Sequence, residues 1–496
     1  MRTELVRLCV RRGFFWGPSP EIYGGIAGFY DLGPLGSLMK RKIENFIRLY
    51  WRNCQFWEIE CPTIEPEIVW KASGHIDRFT DYMVECSSCG FKYRADHFLE
   101  EHGISVKSYS VSSLRALLIS YNLRCPRCGA PLSDVHPQNL MLETKIFPNI
   151  RAFLRPETAT TTYLLFRRLY RFFRRKLPFG VFQIGRAYRN EISPRRGLIR
   201  MREFTQAEAQ IFVTDDVIFT DFVRKNNVKL PLLPIELQEK GHTKPQQIAV
   251  SEALEKEYLS DAAFAYIMII AYLMSVDLGL KKELLRIRQH SYEERAHYVQ
   301  DAWDLEFYSR ESGWLELCGI HDRGTYDLER HSRFSGVSLE VPTADGLAVI
   351  PRVLEIAYGI ERIMYALLEQ SYTDEGGRVY LRLPNFIAPI EVGVLPLTKK
   401  EALTQKAREI YRMLLQEGFV TYYDESGSIG RRYRRLDEIG CPFAITCDAR
   451  TLSENVVTIR NRDTTTQEII SVDKIVPYLR ERLKFPISIR TWTLST

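Results

Sequence analysis

The sequence has few of the features that would place it in a membrane, an extracellular scaffold or a disordered assembly. Its longest apolar run, Ala262–Val276, lies between Asp261 and Asp277. That is short of the roughly 18–20 residues that span a bilayer, so a buried helix is expected there and no membrane partner. A signal-peptide core is missing at the N-terminus, where Glu4 interrupts the apolar residues and Arg11 and Arg12 follow. Cysteine is sparse: ten in 496 residues do not make a secreted disulfide framework. A soluble, reducing compartment, the cytoplasm, is expected. Repeats of 20–50 residues and low-complexity tracts are absent. Neither charge sign dominates, since 68 basic against 62 acidic residues leave +6. This mild excess suits a polyanionic partner but is far from a histone-like tail.

What is present is ordinary globular material: 45% hydrophobic and 26% charged residues, enough to fill two to four domains. Glycines and aromatics crowd the first 35 residues, which read as tight loops before a helix over Leu35–Trp51. A strand is expected at Phe56–Cys61, ended by Pro62, followed by a cysteine-flanked insert over 86–128. Next come a helix over Glu157–Arg175, strands at Val181–Asn190 and Ile199–Gln206 around a polar loop, and a largely helical insertion over 215–285. Strands at Asp304–Tyr308 and Gly313–Leu317 precede an apolar segment and helix near 353–370. Composition shifts at Tyr372–Pro389, which reads as a linker. Beyond it strands and helices alternate, implying a small α/β domain over 386–496 after a larger domain over 1–385.

The segments richest in chemistry surround the polar loop. Arg189 and Glu191, two apart in an extended chain, share a face, and arginines flanking such a loop can close bidentately over a triphosphate. Glu191 and Glu208 add carboxylates for a magnesium ion or a substrate ammonium. The same pattern also describes a hairpin with solvated charges. Gly359-Ile360-Glu361-Arg362 opens an apolar helix, where the arginine can lie on a planar base or reach a phosphate, or simply belong to a capped helix.

These segments carry a resemblance. Arg155-Pro156-Glu157-Thr158-Ala159, Arg189 to Arg195, Arg202-Glu203-Phe204-Thr205 and Glu21 to Gly25 resemble glycyl-tRNA synthetase of the homodimeric class II type. So do Tyr30 to Gly36, Ala72-Ser73-Gly74-His75, Arg94-Ala95-Asp96-His97, Arg288-Gln289-His290, Ala296-His297-Tyr298, Gly313-Trp314-Leu315-Glu316 and Asp322-Arg323. The C-terminal module resembles the anticodon-binding domain of several class II synthetases. The resemblance implies an α+β fold: an antiparallel sheet flanked by helices, with insertions, plus the α/β anticodon-binding domain. It implies ATP-dependent activation of glycine, with Mg2+, and transfer of the glycyl group to the 3′ end of tRNA(Gly) by a homodimer whose interface lies near Ile59–Pro66. By resemblance Arg189 binds the α-phosphate, Asn190 and Glu191 lie along the nucleotide, and Arg200 and Met201 follow the loop over it. Arg362 clamps the other side. Glu316 and Leu317 match nucleotide-contacting positions, Glu316 as the magnesium ligand. Arg94, Glu157, Glu208, Glu355 and Ala357 line the glycine site, and Arg189, Glu316 and Arg362 form the catalytic set. Two positions depart from the family pattern: Ala357 stands where a serine is common, and Thr160-Thr161-Thr162 continues the Glu157 segment where Gln-Gly is usual.

Cys86-x2-Cys89 and Cys125-x2-Cys128 read as two knuckles of one structural zinc site, or as incidental thiol pairs; the other six cysteines read as plain core or surface residues. Two basic clusters, Arg167 to Lys176 and Arg431 to Arg435, offer phosphate contacts along RNA or solvated faces. His75, His97, His290 and His297 are expected to be hydrogen-bonded structural residues. With neither a P-loop nor a His-Ile-Gly-His element, a parallel nucleotide-binding sheet is disfavoured. The competing readings are a synthetase-like binding protein without catalysis, and a ligase for alanine or serine.

Overall fold

The computed structural model describes residues 3–104, 106, 110–194, 197–215, 217–291, 294, 299–343 and 346–487. Arg195, Arg196 and the Ala296-His297-Tyr298 motif lie outside them.

A nine-stranded sheet organises the large domain. In chain order its strands are β1 (Trp57–Glu58), β2 (Phe179–Tyr188), β3 (Glu203–Val213), β4 (Lys229–Leu233), β5 (Gln246–Ala249), β6 (Leu285–Gln289), β7 (Asp301–Ser309), β8 (Gly313–Gly324) and β9 (Arg352–Gly359). In space they run β5-β4-β6-β7-β8-β9-β3-β2-β1. Pairing is antiparallel except at β2·β1 and β4·β6. One face is sealed by apolar helices. Ala262–Asp277 is the buried helix that its composition predicts; the Asp261 carboxylate caps it by accepting from the Phe264 N–H at 2.8 Å. Tyr358 Oη on β9 donates to the Ala271 carbonyl at 2.6 Å, tying that helix to the sheet. The helices Pro34–Asn53 and Ile360–Ser371 cover the rest of this core.

Helices make up most of the 215–285 segment, as expected, but the segment is not helical throughout. It contributes β4 and β5, which extend the sheet at one edge. Pro231 and Pro234 disguised β4, but Leu230, Leu232 and Leu233 are buried, so burial outweighs the lost backbone donor. The expected linker over 372–389 is also structured. Tyr372–Glu375 and Arg378–Leu381 form a hairpin across Gly376 and Gly377, whose φ of 60° and 84° suit glycine. The helix expected over Glu157–Arg175 divides into Ala159–Tyr163 and Phe166–Phe172, and Arg174 and Arg175 turn out of it with positive φ. The Phe56–Cys61 strand shortens to β1, and a helix at Thr3–Arg12 precedes the N-terminal loops.

The C-terminal sheet has five strands, ordered Thr421–Tyr423, Val392–Pro396, Phe443–Cys447, Val456–Asn461 and Gln467–Ser471; the last was missed in the sequence. Its own core includes Val392, Ile445, Ile459 and Leu479. Buried Arg462 donates to the Leu383 carbonyl at 2.7 Å, and Arg378 reaches Asp437 at 2.9 Å, joining module to hairpin. Within the second basic cluster, Arg432 is buried on the Pro396 carbonyl and Arg435 pairs with Asp424, which leaves Arg431 and Arg434 as its exposed cations. No helix among the described residues is long and apolar enough to cross a membrane.

Candidate active site

Strand periodicity places the site. In β3, β9 and β8, residues two apart share a face, and cross-strand partners lie on the same face. Pairing Glu208 with Ala357, Gln206 with Gly359, Gly319 with Ala357 and His321 with Glu355 gathers all seven on one surface. The alternate residues, Ala207, Ala209, Ile356, Tyr358, Cys318 and Ile320, face the helical core. The polar face floors an open cleft, roofed by the loop between β2 and β3.

At the floor, carboxylates crowd around one guanidinium. Arg323, buried at the end of β8, holds Asp327 at 2.8 Å, Glu355 at 3.2 Å and Glu157 at 3.5 Å. Glu355 also takes bonds from His321 Nδ1 at 2.9 Å and Tyr163 Oη at 3.3 Å. Burial alone would raise these carboxyl groups. Arg323, aided by His75 at Glu157 and by His321 at Glu355, instead holds both below the usual range. Glu208 makes no direct ion pair and feels Arg323 only weakly. Burial, then repulsion from Glu355 and Glu157, pushes it up to about 8 against the hydrogen bonds from Thr158 N–H (2.9 Å) and Oγ1 (2.5 Å).

The loop that presents Glu157 is anchored by Arg155, whose Nε donates to the Arg186 carbonyl at 2.8 Å. Gly185 permits this approach, since a Cβ there would lie 2.2 Å from the guanidinium. The threonines that depart from the family pattern all have partners. Thr160 Oγ1 donates to Glu157 at 2.7 Å, Thr161 Oγ1 to the Thr158 carbonyl at 2.8 Å, and Thr162 Oγ1 accepts from Gln183 at 2.7 Å.

The mouth carries cations. Arg189 donates to the Pro156 carbonyl at 3.1 Å and lies 5.3 Å from the Phe204 ring centroid and 5.4 Å from that of Phe79. Arg362, near the start of its helix, donates to the Ile199 carbonyl at 3.2 Å and pairs with Glu316 at 3.0 Å. That pair, with the weaker influence of Arg189, holds Glu316 down at about 2. Arg200 grips Glu191 at 2.7 Å, so the roofing loop is braced across its own width.

Arg189, Glu191, Arg200, Met201, Glu316, Arg362, Glu157, Glu208, Glu355 and Ala357 therefore line one cleft. Three residues expected beside them do not. Arg94 is held by Asp96 at 2.8 Å and Asp81 at 2.9 Å and borders a neighbouring cavity. Asn190 is exposed and does not line the cleft. The Leu317 side chain packs in the core, beside a bulge in β8, and can meet a ligand only through its backbone. Sequence reasoning missed His321, Tyr163 and the central role of Arg323. Only the adjacency of Asp322-Arg323 hinted at the last. His75 and His290 are hydrogen-bonded as expected, to Ser73 at 2.7 Å and Asp304 at 2.6 Å; His297 lies outside the described residues.

Away from the cleft, Cys86, Cys89, Cys125 and Cys128 place their sulfurs within 4.8 Å of one another. Gly90 and Gly129 follow the pairs with φ of 65° and 73°, the conformation that closes each knuckle. The remaining six cysteines are buried.

Residues 148–371 match the tRNA synthetase class II core domain (G, H, P, S and T), and residues 391–482 match the anticodon binding domain. The chain is 42% identical to the glycine–tRNA ligase of Thermococcus gammatolerans, over 95% of this chain and 96% of that protein. It is 43% identical to that of Pyrococcus horikoshii over the same shares, and 40% identical to that of Methanocaldococcus jannaschii over 97% and 99%. A crystal structure described as the RNA binding domain of threonyl-tRNA synthetase from Cryptosporidium parvum superposes with a TM-score of 0.63 at 19% identity. It covers 98% of this chain and 99% of that one, a likeness of fold alone. With two domain matches in order and relatives matched nearly end to end, the chain belongs to the glycine–tRNA ligase family.

Proposed function

We propose that this cleft activates glycine with ATP and that the protein then transfers the glycyl group to the 3′ end of tRNA(Gly). One observation carries the assignment of roles: the buried carboxylates Glu157, Glu208 and Glu355 lie on the floor of the same cleft whose mouth holds Arg189 and Arg362. Glycine offers a cation and a carboxylate but no side chain, so an acidic floor is the way to hold it. The Glu157 and Glu208 carboxylates receive its ammonium, with Glu355 beside them, and its carboxylate is left facing the arginines.

In the first step a glycine carboxylate oxygen attacks the α-phosphorus of ATP in line. An oxygen–phosphorus bond forms as the bond to the leaving pyrophosphate breaks. Arg189, braced by Pro156 and flanked by two rings, neutralises charge on the α-phosphoryl oxygens and needs little reorganisation to do so. Arg362 closes on the nucleotide from the opposite wall, while Glu191 and Arg200 position its base and ribose beneath the roofing loop. Mg2+, when bound with ATP, offsets phosphate charge; Glu316, ionised at neutral pH, is the carboxylate placed to help hold it. In the second step the tRNA terminal hydroxyl attacks the activated carbonyl and AMP leaves. The module from about residue 386 onward reads the anticodon arm, with Arg431 and Arg434 as its available phosphate contacts.

The four-cysteine insert suits structural zinc. Tetrahedral Zn–S bonds of about 2.3 Å set sulfurs about 3.8 Å apart; Cys86–Cys128 and Cys89–Cys125 stand at 3.3 and 3.7 Å. The protein is assigned as a homodimer. Exposed Trp57, Ile64, Ile68 and Ile150, near the β1 edge of the sheet and Ile59–Pro66, are the apolar surface that supports this reading. Amino-acid-dependent ATP–pyrophosphate exchange across all twenty amino acids tests the function: glycine alone should support exchange. A different winner would mean a shifted pocket, and none would mean a binding protein.

A further inference from the structure

We propose that His321 sets the selectivity of the glycine pocket by filling, with its imidazole, the volume into which any larger amino acid would project its side chain. The inference rests on the reading of Glu157, Glu208 and Glu355 as the ammonium site. The floor beside those carboxylates is built from residues with little bulk: Gly319 on β8, and Ala357 and Gly359 on β9. Left uncovered, such a floor would accept an added methyl or hydroxymethyl group. The imidazole covers it.

His321 and Gly319 share the cleft face of β8, and opposite them on β9 stand Glu355 and Ala357. A Cβ built on Gly319 would lie 2.6 Å from the His321 Cε1 and 2.8 Å from its Nε2. The ring therefore folds back along the sheet over Gly319, the cross-strand partner of Ala357. The absence of a side chain at 319 gives it that seat.

A wall that excludes a methyl group must not yield, and this one is anchored. His321 Nδ1 meets Glu355 Oε1 at 2.9 Å, and the other Glu355 oxygen is held by Arg323 at 3.2 Å and Tyr163 at 3.3 Å. Glu355 is thus largely occupied as the anchor of the ring. Glu208 differs: both Thr158 bonds fall on Oε2, so Oε1 is the oxygen left to meet a ligand. Ala357 has no hydroxyl to offer the substrate. This chain achieves exclusion with the ring on the neighbouring strand, since a rigid, filled pocket resists added atoms steeply.

The test measures pyrophosphate exchange with glycine, L-alanine, D-alanine and L-serine for wild type, His321→Ala and His321→Asn, with folding checked by thermal melting. Asparagine keeps a donor near the Nδ1 position but lacks the Cε1–Nε2 edge. Expected is a fall of about tenfold or more in the glycine preference over one or both alanines for His321→Ala, the scale of one methyl group's exclusion. His321→Asn, which keeps a donor towards Glu355, should lose as much preference, read as the ratio of kcat/KM for glycine to that for each alanine. Should His321→Ala fail to fold, His321→Asn carries the comparison. Preference unchanged within twofold in the folded variants would overturn the role of His321 and leave the acidic site intact. Wild-type protein without glycine-dependent exchange would instead overturn the underlying reading, and this proposal with it.

Discussion

Glycine binding should expel a proton, and Glu208 is its source. In the empty cleft this carboxyl is pushed up to about 8 by burial and by Glu355 and Glu157, with Arg323 spent mainly on those two and on Asp327. A group titrating at 8 is about nine-tenths protonated at pH 7. An ammonium placed against it favours the ionised form, so binding at pH 7 releases up to about 0.9 proton per site. The sign follows directly. Below pH 8 the proton must leave, so glycine affinity rises with pH, by up to about tenfold per unit, and levels off above pH 8. Isothermal titration calorimetry at pH 7 in buffers of different ionisation enthalpy reads the release as the slope of observed enthalpy against buffer enthalpy. Glu208→Gln should bind more weakly and bring the slope close to zero. A wild-type slope of zero with measurable glycine binding would refute the reasoning, because it would mean that Glu208 is already ionised or that the ammonium sits elsewhere.

Arg189→Ala should depress pyrophosphate exchange by about a hundredfold or more, the loss typical of one charge-stabilising donor; a near-normal exchange rate at saturating ATP and glycine would contradict its role. Arg323→Met leaves buried Glu157, Glu355 and Asp327 without their cation, and should cost about 3–5 kcal/mol in urea unfolding at pH 7.5. Glu157 and Glu355 would then be raised rather than lowered, and Asp327, already raised by burial, would rise further, so the deficit should shrink as pH falls towards 5; a pH-independent deficit would argue against the charge account. Elemental analysis should find one zinc per chain, and Cys86→Ser should lower zinc content and expose the 86–128 insert to proteolysis. Intact resistance with no metal would show that the insert folds on its apolar core alone.

Much of this was legible in the sequence because it depends on local rules. Residues 262–277 form a buried helix because a long apolar run between aspartates has no other economical state in water, and Asp261 supplies the cap. The loop arginines and Glu208 could be placed on a cleft face because side chains alternate along a strand. Pro231 and Pro234 hid β4, whose identity comes from burial against β6 rather than from propensity. Likewise Gly376-Gly377 reads equally well as linker or hairpin until the flanking strands are seen to pack.

Composition, spacing and periodicity by themselves indicated the strands around the polar loop, the carboxylates Glu191 and Glu208, the paired cysteines and the terminal module, while the antiparallel sheet and the place of Glu157 came from the family resemblance. Each of the former is carried by residues close together in the chain, or by a pattern that repeats along it. The tertiary structure alone decided how the charges are shared. It set Arg323 among three carboxylates, left Glu208 without a direct ion pair, kept Arg94 and the Leu317 side chain out of the cleft lining, and laid His321 over Gly319. Those outcomes depend on which residues meet across strands and loops far apart in the chain. Electrostatic energy and excluded volume depend on distance in space, which one-dimensional spacing does not specify.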